Sequence, residues 1–179
     1  MKFSELITSR RSCRAYQDKA IADNDIKHIV ETALLSPTSK NNRPWEFIIV
    51  NQPSLLFKLS ESKPHGSAFL KDAPLGIVII ADPNKSDVWI EDTSIAGTVI
   101  QLVAEDVGLG SCWIQIRKRE HDNRVNASDY VKDVLNIPDH FEVASIIAVG
   151  HKRKERKPYS HDDINIKKIH YNQYLSELS

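Results

Sequence analysis

Apolar positions along the chain follow two periods. From Asp25, the residues Ile26, Ile29, Val30, Ala33 and Leu34 recur at i, i+3, i+4, i+7 and i+8, which lines one face of a helix. Asp23 and Asn24 stand where a cap is expected. Pro37 ends the run at Ser36, because it disfavours helical backbone in the residue before it. A second stripe, Ile95, Val99, Leu102 and Val103, is widened by Ala96, Ile100, Ala104 and Val107 and predicts a helix over 91–107. Being apolar nearly all round, that helix should lie buried. Shorter helices are expected at 4–9, 53–60 and 128–135. Four runs, 45–50, 75–81, 112–116 and 143–149, are apolar at both alternating sets of positions and bounded by Pro, Gly, Asp or Asn. They read as strands of a sheet covered on both faces. Strands and helices intermix without the regular cycle of a doubly wound fold, so the expected class is α+β, a sandwich with a central mixed sheet flanked by helices.

With 179 residues and 41% hydrophobic content, one domain spanning 1–179 is expected, burying roughly 70% of the surface of its unfolded chain. From His151 the chain turns polar and basic, with apolar residues only scattered (Tyr159, Ile164, Ile166, Ile169, Tyr171, Tyr174, Leu178). This C-terminal extension, 151–179, must lean on something else to be ordered. The 24 basic and 24 acidic side chains cancel, which argues against wholesale nucleic-acid binding. No run approaches the ~18 apolar residues of a membrane span, and the N-terminus lacks the apolar block of a signal peptide. A cytoplasmic location, with Cys13 and Cys112 as reduced thiols, is the resulting expectation.

Four polar clusters carry the candidate chemistry, and each has a plain structural alternative. Arg10-Arg11-Ser12-Cys13-Arg14 follows the first short helix. Cations there complement the helix dipole, but guanidinium groups with a serine hydroxyl also suit an anion. The run from Ser36 to Trp45 is either ordinary turn chemistry or a ligand loop of hydroxyls and amides. Gly108-Leu109-Gly110-Ser111-Cys112-Trp113 contains G-x-G, yet a strand follows where a dinucleotide fingerprint needs a helix, and Trp113 stands in place of its third glycine. A helix C-cap would explain the glycines alone. The stretch 152–157 sets five cations in six positions, either a solvated loop or a phosphate or RNA patch. Glu91 and Asp92 open a helix, where carboxylates favour the dipole, and rank as structural before acid–base groups. There is no phosphate loop, nucleophile elbow or zinc helix, and the seven dispersed histidines form no metal-ligand pair, so no metal site is expected.

Taken together and in order, the clusters resemble the nitroreductase family of flavin mononucleotide (FMN) oxidoreductases in its short, single-domain form. The family's R-R-S-x-R element is matched by Arg10 to Arg14, its A-P-S-A-x-N-x-Q-P-W pattern by Ser36 to Trp45, and G-L-G-[ST]-C-W by Gly108 to Trp113. The last apolar strand, ending in glycine and a basic segment, is matched by Val143 to Arg153. The resemblance implies an intertwined homodimer with two FMN molecules at the subunit interface, each contacted by both chains, and the C-terminal extension exchanged onto the partner. It implies that Arg10, Arg11 and Ser12 hold the phosphate and ribityl chain, and that Arg14 lies near the pyrimidine edge of the ring. Pro37, Thr38, Ser39 and Asn41 would approach from the partner chain, Gly110 and Ser111 would lie by the ring, and His151 and Arg153 would complete the phosphate site. The implied activity is reduction of a small electron acceptor, such as a nitroaromatic or quinone, by NADH or NADPH through flavin N5 in ping-pong turnover, with no catalytic side chain. Rivals are a flavin-consuming or dehalogenating enzyme, a flavin-binding protein without turnover, and a basic nucleic-acid module. Arg43 replaces the family's Gln, and Ser36 and Ser39 replace alanines. The chain also lacks the extra helices that shape substrate choice in longer members, so no substrate is named.

Overall fold

The computed structural model describes residues 2–174. Five α-helices and four strands follow in the order α1 (Phe3–Ser9), α2 (Asp23–Ala33), β1 (Trp45–Val50), α3 (Pro53–Ser60), β2 (Leu75–Ala81), α4 (Trp89–Asp106), β3 (Gly110–Gln115), α5 (Ala127–Leu135) and β4 (Glu142–Gly150). The strands form one sheet in the order β1-β2-β4-β3. Because side chains alternate across a strand, β2 and β4 feed two separate cores. Val78, Ile80, Ile146 and Ala148 pack with Leu56 and Leu59 of α3 and Val131 of α5. Ile77, Ile79, Ile147 and Val149 pack on the other face with Ile29 and Ala33 of α2 and with Ala96, Ile100 and Ala104 of α4. All seven residues of β2 are buried, the burden that required its uninterrupted apolar run. Each large aliphatic side chain buried in this way contributes about 1.5–3 kcal/mol.

The sheet departs from the expected mixed pattern, since all three strand pairs are antiparallel. Among the described residues, parallel pairing is confined to one bridge, Ser12 to Ser111. The cause is topological. Helix α4 carries the chain back from Ala81 to Gly110 at the other end of the sheet, so β2 and β3 do run parallel. Strand β4 then inserts between them and separates the parallel pair.

The expected burial of α4 holds on one face. Ala96, Gly97, Ile100 and Ala104 are buried, but Ile95 keeps 40% of its surface exposed, and Val99, Leu102 and Val103 are half-buried. The glycine after α4 acts as a C-cap. Gly108 takes φ +78°, its N–H donates to the Glu105 carbonyl at 3.0 Å, and the Leu109 N–H donates to Ala104 at 2.8 Å, which satisfies the last free carbonyls. Asp23 falls in the first turn of α2, where its charge suits the dipole, without capping it through a side-chain bond.

At the start of α4, Asp92 is buried and ties two loops to the helix. Its Oδ1 accepts the Ser39 N–H and its Oδ2 accepts the Ser86 hydroxyl, each at 2.9 Å. The 36–43 loop needs such a tether, because Lys40, Asn41 and Arg43 all take positive φ. Removing the acceptor leaves two donors without their partner. Asp92→Ala is therefore expected to cost about 1–3 kcal/mol and to expose the Lys40–Asn41 bond to trypsin. Limited proteolysis followed by mass spectrometry checks this; equal cleavage rates after Lys40 in both proteins would mean that Asp92 does not hold the loop.

Candidate functional site

After α1 the chain does not leave the surface but runs across the ends of β3 and β4. Ser12 bridges Ser111, the Cys13 N–H donates to the Ser111 carbonyl at 2.8 Å, and the Gln17 N–H donates to His151 at 2.9 Å. The Arg153 N–H donates back to Ala15 at 3.1 Å. A Cβ at Gly110 would lie 2.7 Å from both Cys13 Cβ and Lys152 Cγ, so only glycine admits the crossing at this distance. Two basic clusters that are remote in sequence thereby meet.

Between them opens a cleft of about 470 Å³ whose lining includes Arg11, Ser12, Arg14, Arg153, Lys154 and Arg156. Arg11 lies 4.3 Å over the Tyr159 ring and donates to the Lys157 carbonyl, while Arg14 lies 5.9 Å over Phe69. The Arg153 Nε donates to the Tyr16 carbonyl at 3.2 Å. The ion pairs among the described residues are Lys27–Glu31, Lys132–Asp129, Lys152–Glu105 and Lys152–Glu155. Lys152 is thus answered by the buried Glu105 at 2.9 Å. Burial works to lower its pKa, yet the bonds and charges of Glu105 and Glu155 outweigh that and hold the ammonium above its ordinary range. Among the described residues Arg10, Arg11, Arg14 and Arg153 form no such ion pair, although Arg11 lies within electrostatic reach of Asp163. This local excess of positive charge is what an anionic ligand would satisfy.

Below the cleft, Gly110 and Ser111 are buried, and the Ser111 hydroxyl has no hydrogen-bond partner. Arg10 is half-buried at the end of α1. Burial pushes the Cys112 thiol up, with Arg14 and a Ser12 hydrogen bond pulling the other way. Burial likewise raises the Tyr16 phenol, whose O–H donates to the Cys13 carbonyl at 2.6 Å. His151 turns aside, its Nε2 3.2 Å from the Ala20 carbonyl.

The loop residues Pro37, Thr38, Ser39 and Asn41 do not join this group within one chain. Trp45, just after the loop, pairs with Ala81, whereas Gly150, beside the arginine segment, pairs with Gly110, and Val149 pairs with Leu75. The six steps from Leu75 to Ala81 put roughly 20 Å between the two ends of the sheet. In the loop, Thr38 Oγ1 accepts the Arg43 N–H at 3.1 Å, and Asn41 Oδ1 accepts Arg43 Nε at 2.9 Å, so Arg43 folds back over its own turn. The half-buried Lys63 belongs to none of the sequence motifs, while Asp92 and Lys152 were named there without their partners. A carboxylate at the start of a strongly apolar helix was visible, but its two loop partners were not.

Among the described residues no group of three or more His, Cys, Asp or Glu is placed to hold a metal ion, and no helix is long and apolar enough to cross a membrane. A model of the nitroreductase family matches residues 7–63 and 53–151. A protein of Archaeoglobus fulgidus, whose name proposes an NADH dehydrogenase or NAD(P)H nitroreductase, is 37% identical over 93% of this chain and 95% of its own length. The structure of an FMN-dependent nitroreductase from Clostridium difficile superposes with a TM-score of 0.95 at 44% identity, covering 96% of this chain and all of that one. An FMN reductase [NAD(P)H] of Bacillus subtilis is 24% identical over 93% of this chain and 74% of its own. From the four ordered motifs, the fold and these matches, the chain belongs to the nitroreductase family.

Proposed function

We propose that the chain is an FMN-dependent oxidoreductase that uses NADH or NADPH to reduce a small electron acceptor, such as a nitroaromatic or a quinone. One observation carries this reading: Arg11, Arg14 and Arg153, which form no ion pair among the described residues, line one cleft between the segments 9–15 and 152–156. The site fits the cofactor in charge: a cleft of about 470 Å³ lined by arginines suits a phosphate-bearing ligand. The orphaned Ser111 hydroxyl adds a polar group beneath it.

When bound, FMN supplies hydride transfer through its N5, first from the nicotinamide and then to the acceptor. The chain's own residues bind and orient. Arg11 and Arg153, with Arg10 and Ser12, would hold the phosphate and ribityl end by charge-assisted hydrogen bonds. Arg14 would face the pyrimidine edge, where a guanidinium favours the electron-rich state. His151, Gly110 and Ser111 would complete the wall through backbone and packing. No side-chain nucleophile or acid is required, in keeping with the high thiol pKa of the buried Cys112.

The loop at the far end of the sheet would reach the cofactor of a second chain, which gives a homodimer with both subunits in each site. Two features support this. Beyond Tyr159, whose N–H donates to Thr8 at 2.9 Å, the hydrogen bonds of the described tail residues stay within the tail. Its Ile164, Ile166, Ile169, Tyr171 and Tyr174 are all more than half exposed, as is Phe3 on α1, and the Ile95 face of α4 is also uncovered. A partner subunit embraced by the 151–179 extension would bury these surfaces; the scattered position Leu178 lies outside the described residues. Of the five cations in the basic run, Lys152 is already neutralised by Glu105.

An anaerobic visible spectrum of protein reconstituted with FMN tests the reading. The band near ~450 nm is expected to appear and to bleach with one equivalent of NADH or NADPH, as hydride transfer removes the oxidised chromophore. Binding without bleaching would support a protein without turnover, and no binding would overturn the cofactor assignment. Arg14→Ala is expected to weaken FMN binding about tenfold or to lower its reduction potential, the loss of one charged hydrogen-bond donor; titration and potentiometry with both values unchanged would remove Arg14 from the site. In light scattering the protein is expected to run as a dimer, and a monomer that still binds FMN tightly would sink the two-chain site.

A further inference from the structure

Lys152 stands first in the basic run and lines the arginine cleft, yet its ammonium is spent on two carboxylates. Its Nζ meets Glu105 Oε1, near the end of α4, at 2.9 Å and Glu155 Oε2 at 3.3 Å. Only 14% of the Lys152 side chain and 5% of that of Glu105 remain exposed, whereas Glu155 keeps 79%. The Glu155 contact is therefore screened by water and holds little. The Glu105 contact is a buried ion pair, and such a pair adds little net stability over apolar side chains of the same size, because desolvation offsets the attraction. What it supplies is direction, since neither charge can move away without stranding the other.

The segment that this pair holds has few other supports. Strand β4 ends at Gly150, and from Arg153 onward every described residue is exposed. Lys152 is the last residue to be half-buried, and it is pinned at several points. Its stem passes where Gly110 has no side chain, with Cγ 2.7 Å from the position a Cβ would take there. Its backbone bridges Tyr16, and its carbonyl accepts the Gln17 side-chain amide at 2.7 Å. Arg153 follows directly, with its N–H on Ala15 at 3.1 Å and its Nε on Tyr16 at 3.2 Å. Both residues line the cleft, but of the two only Arg153 forms no ion pair among the described residues.

We infer that Glu105 and Lys152 are positioning residues of the arginine cleft: their buried pair latches the start of the basic segment to α4 and so aims Arg153 at a bound phosphate, while the Lys152 ammonium does not itself meet that phosphate. This rests on the cofactor reading above and adds to it a helix residue, remote in sequence, that sets the geometry of the phosphate end. It also divides the basic run into one cation that anchors and others that face the ligand.

The test measures FMN dissociation constants over a range of salt, and amide hydrogen exchange at Arg153 in FMN-free protein, for the wild type, Glu105→Gln, Lys152→Met, the double variant and Lys152→Arg. Glu105→Gln and Lys152→Met are each expected to weaken FMN binding about fivefold and the double variant no further, because the two residues act as one unit. The salt dependence should stay that of the wild type, since the ammonium is not among the charges the phosphate meets. Exchange at Arg153 is expected to rise about tenfold in both single variants as the segment opens locally. Lys152→Arg keeps the pair and should restore wild-type binding. A shallower salt dependence in Lys152→Met would make Lys152 a phosphate ligand, and tighter binding in Glu105→Gln would make Glu105 a mere subtraction of charge; either result overturns the inference, as do single variants that match the wild type in both measurements. A wild type that takes up no FMN overturns the cofactor reading, and the latch is then judged on exchange at Arg153 alone. The double variant leaves no unpaired charge buried, so the comparison survives a single variant that folds poorly.

Discussion

Two strand ends carry no side chain, and the placement of the arginine segment depends on it. At Gly150 a Cβ would stand 2.7 Å from Pro74 Cδ and Tyr16 Cδ1, and at Gly110 it would meet Cys13 and Lys152 at the same distance. The 12–17 segment can therefore lie flat across the ends of β4 and β3 and exchange backbone hydrogen bonds with Ser111, His151 and Arg153. A methyl at either glycine would lift that segment and, with it, Arg11, Ser12 and Arg14. Buried Tyr16 locks the crossing from below through its bond to the Cys13 carbonyl. Packing of Tyr16 and Cys13 into the core formed with Val78, Ile80, Ile146 and Ala148 thus fixes where the cations stand.

That placement converts a neutral chain into one with a strongly polarised face. Globally, 24 basic side chains balance 24 acidic ones. Locally, Lys152 is answered by Glu105, while among the described residues Arg10, Arg11, Arg14 and Arg153 form no ion pair and Arg11 feels the Asp163 carboxylate only at longer range. Exposed arginines alone would mean little, because water and salt screen them. Here the guanidinium groups converge on one cleft, where an anion entering among them would relieve their mutual repulsion. The same economy governs the opposite end of the sheet, where the 36–43 loop has backbone in the left-handed region and depends on Asp92 for support. Both ends expose polar groups that a single chain leaves unused, and the uncovered apolar residues of α1, α4 and the tail lie on the same molecule.

Much of the architecture was legible because it is local. The stripe Ile26-Ile29-Val30-Ala33 became α2, the four apolar runs became the four strands to within two residues, and Gly108 capped α4. Periodicity reports which face of an element is buried, and it did so for β2, whose neighbours cover both faces. It overstated α4, since an apolar face in sequence does not say whether this chain or another covers it. It was silent on strand order too: nothing local shows that β4 would slip between β2 and β3 and turn an expected mixed sheet antiparallel.

For the site, the ordered motifs identified the arginine pentad, the polar loop, the glycine pair and the basic run, together with the family they resemble. Sequence by itself determined the elements, the charges available and the glycines that admit close approach, because these follow from neighbours along the chain. Only the tertiary structure decided that Arg153 would meet Arg11 and that Thr38 would stand at the other end of the sheet. It also decided that Glu105 would silence Lys152. Those outcomes depend on distances between residues far apart in sequence, where the sign and reach of an electrostatic interaction are set by packing and burial.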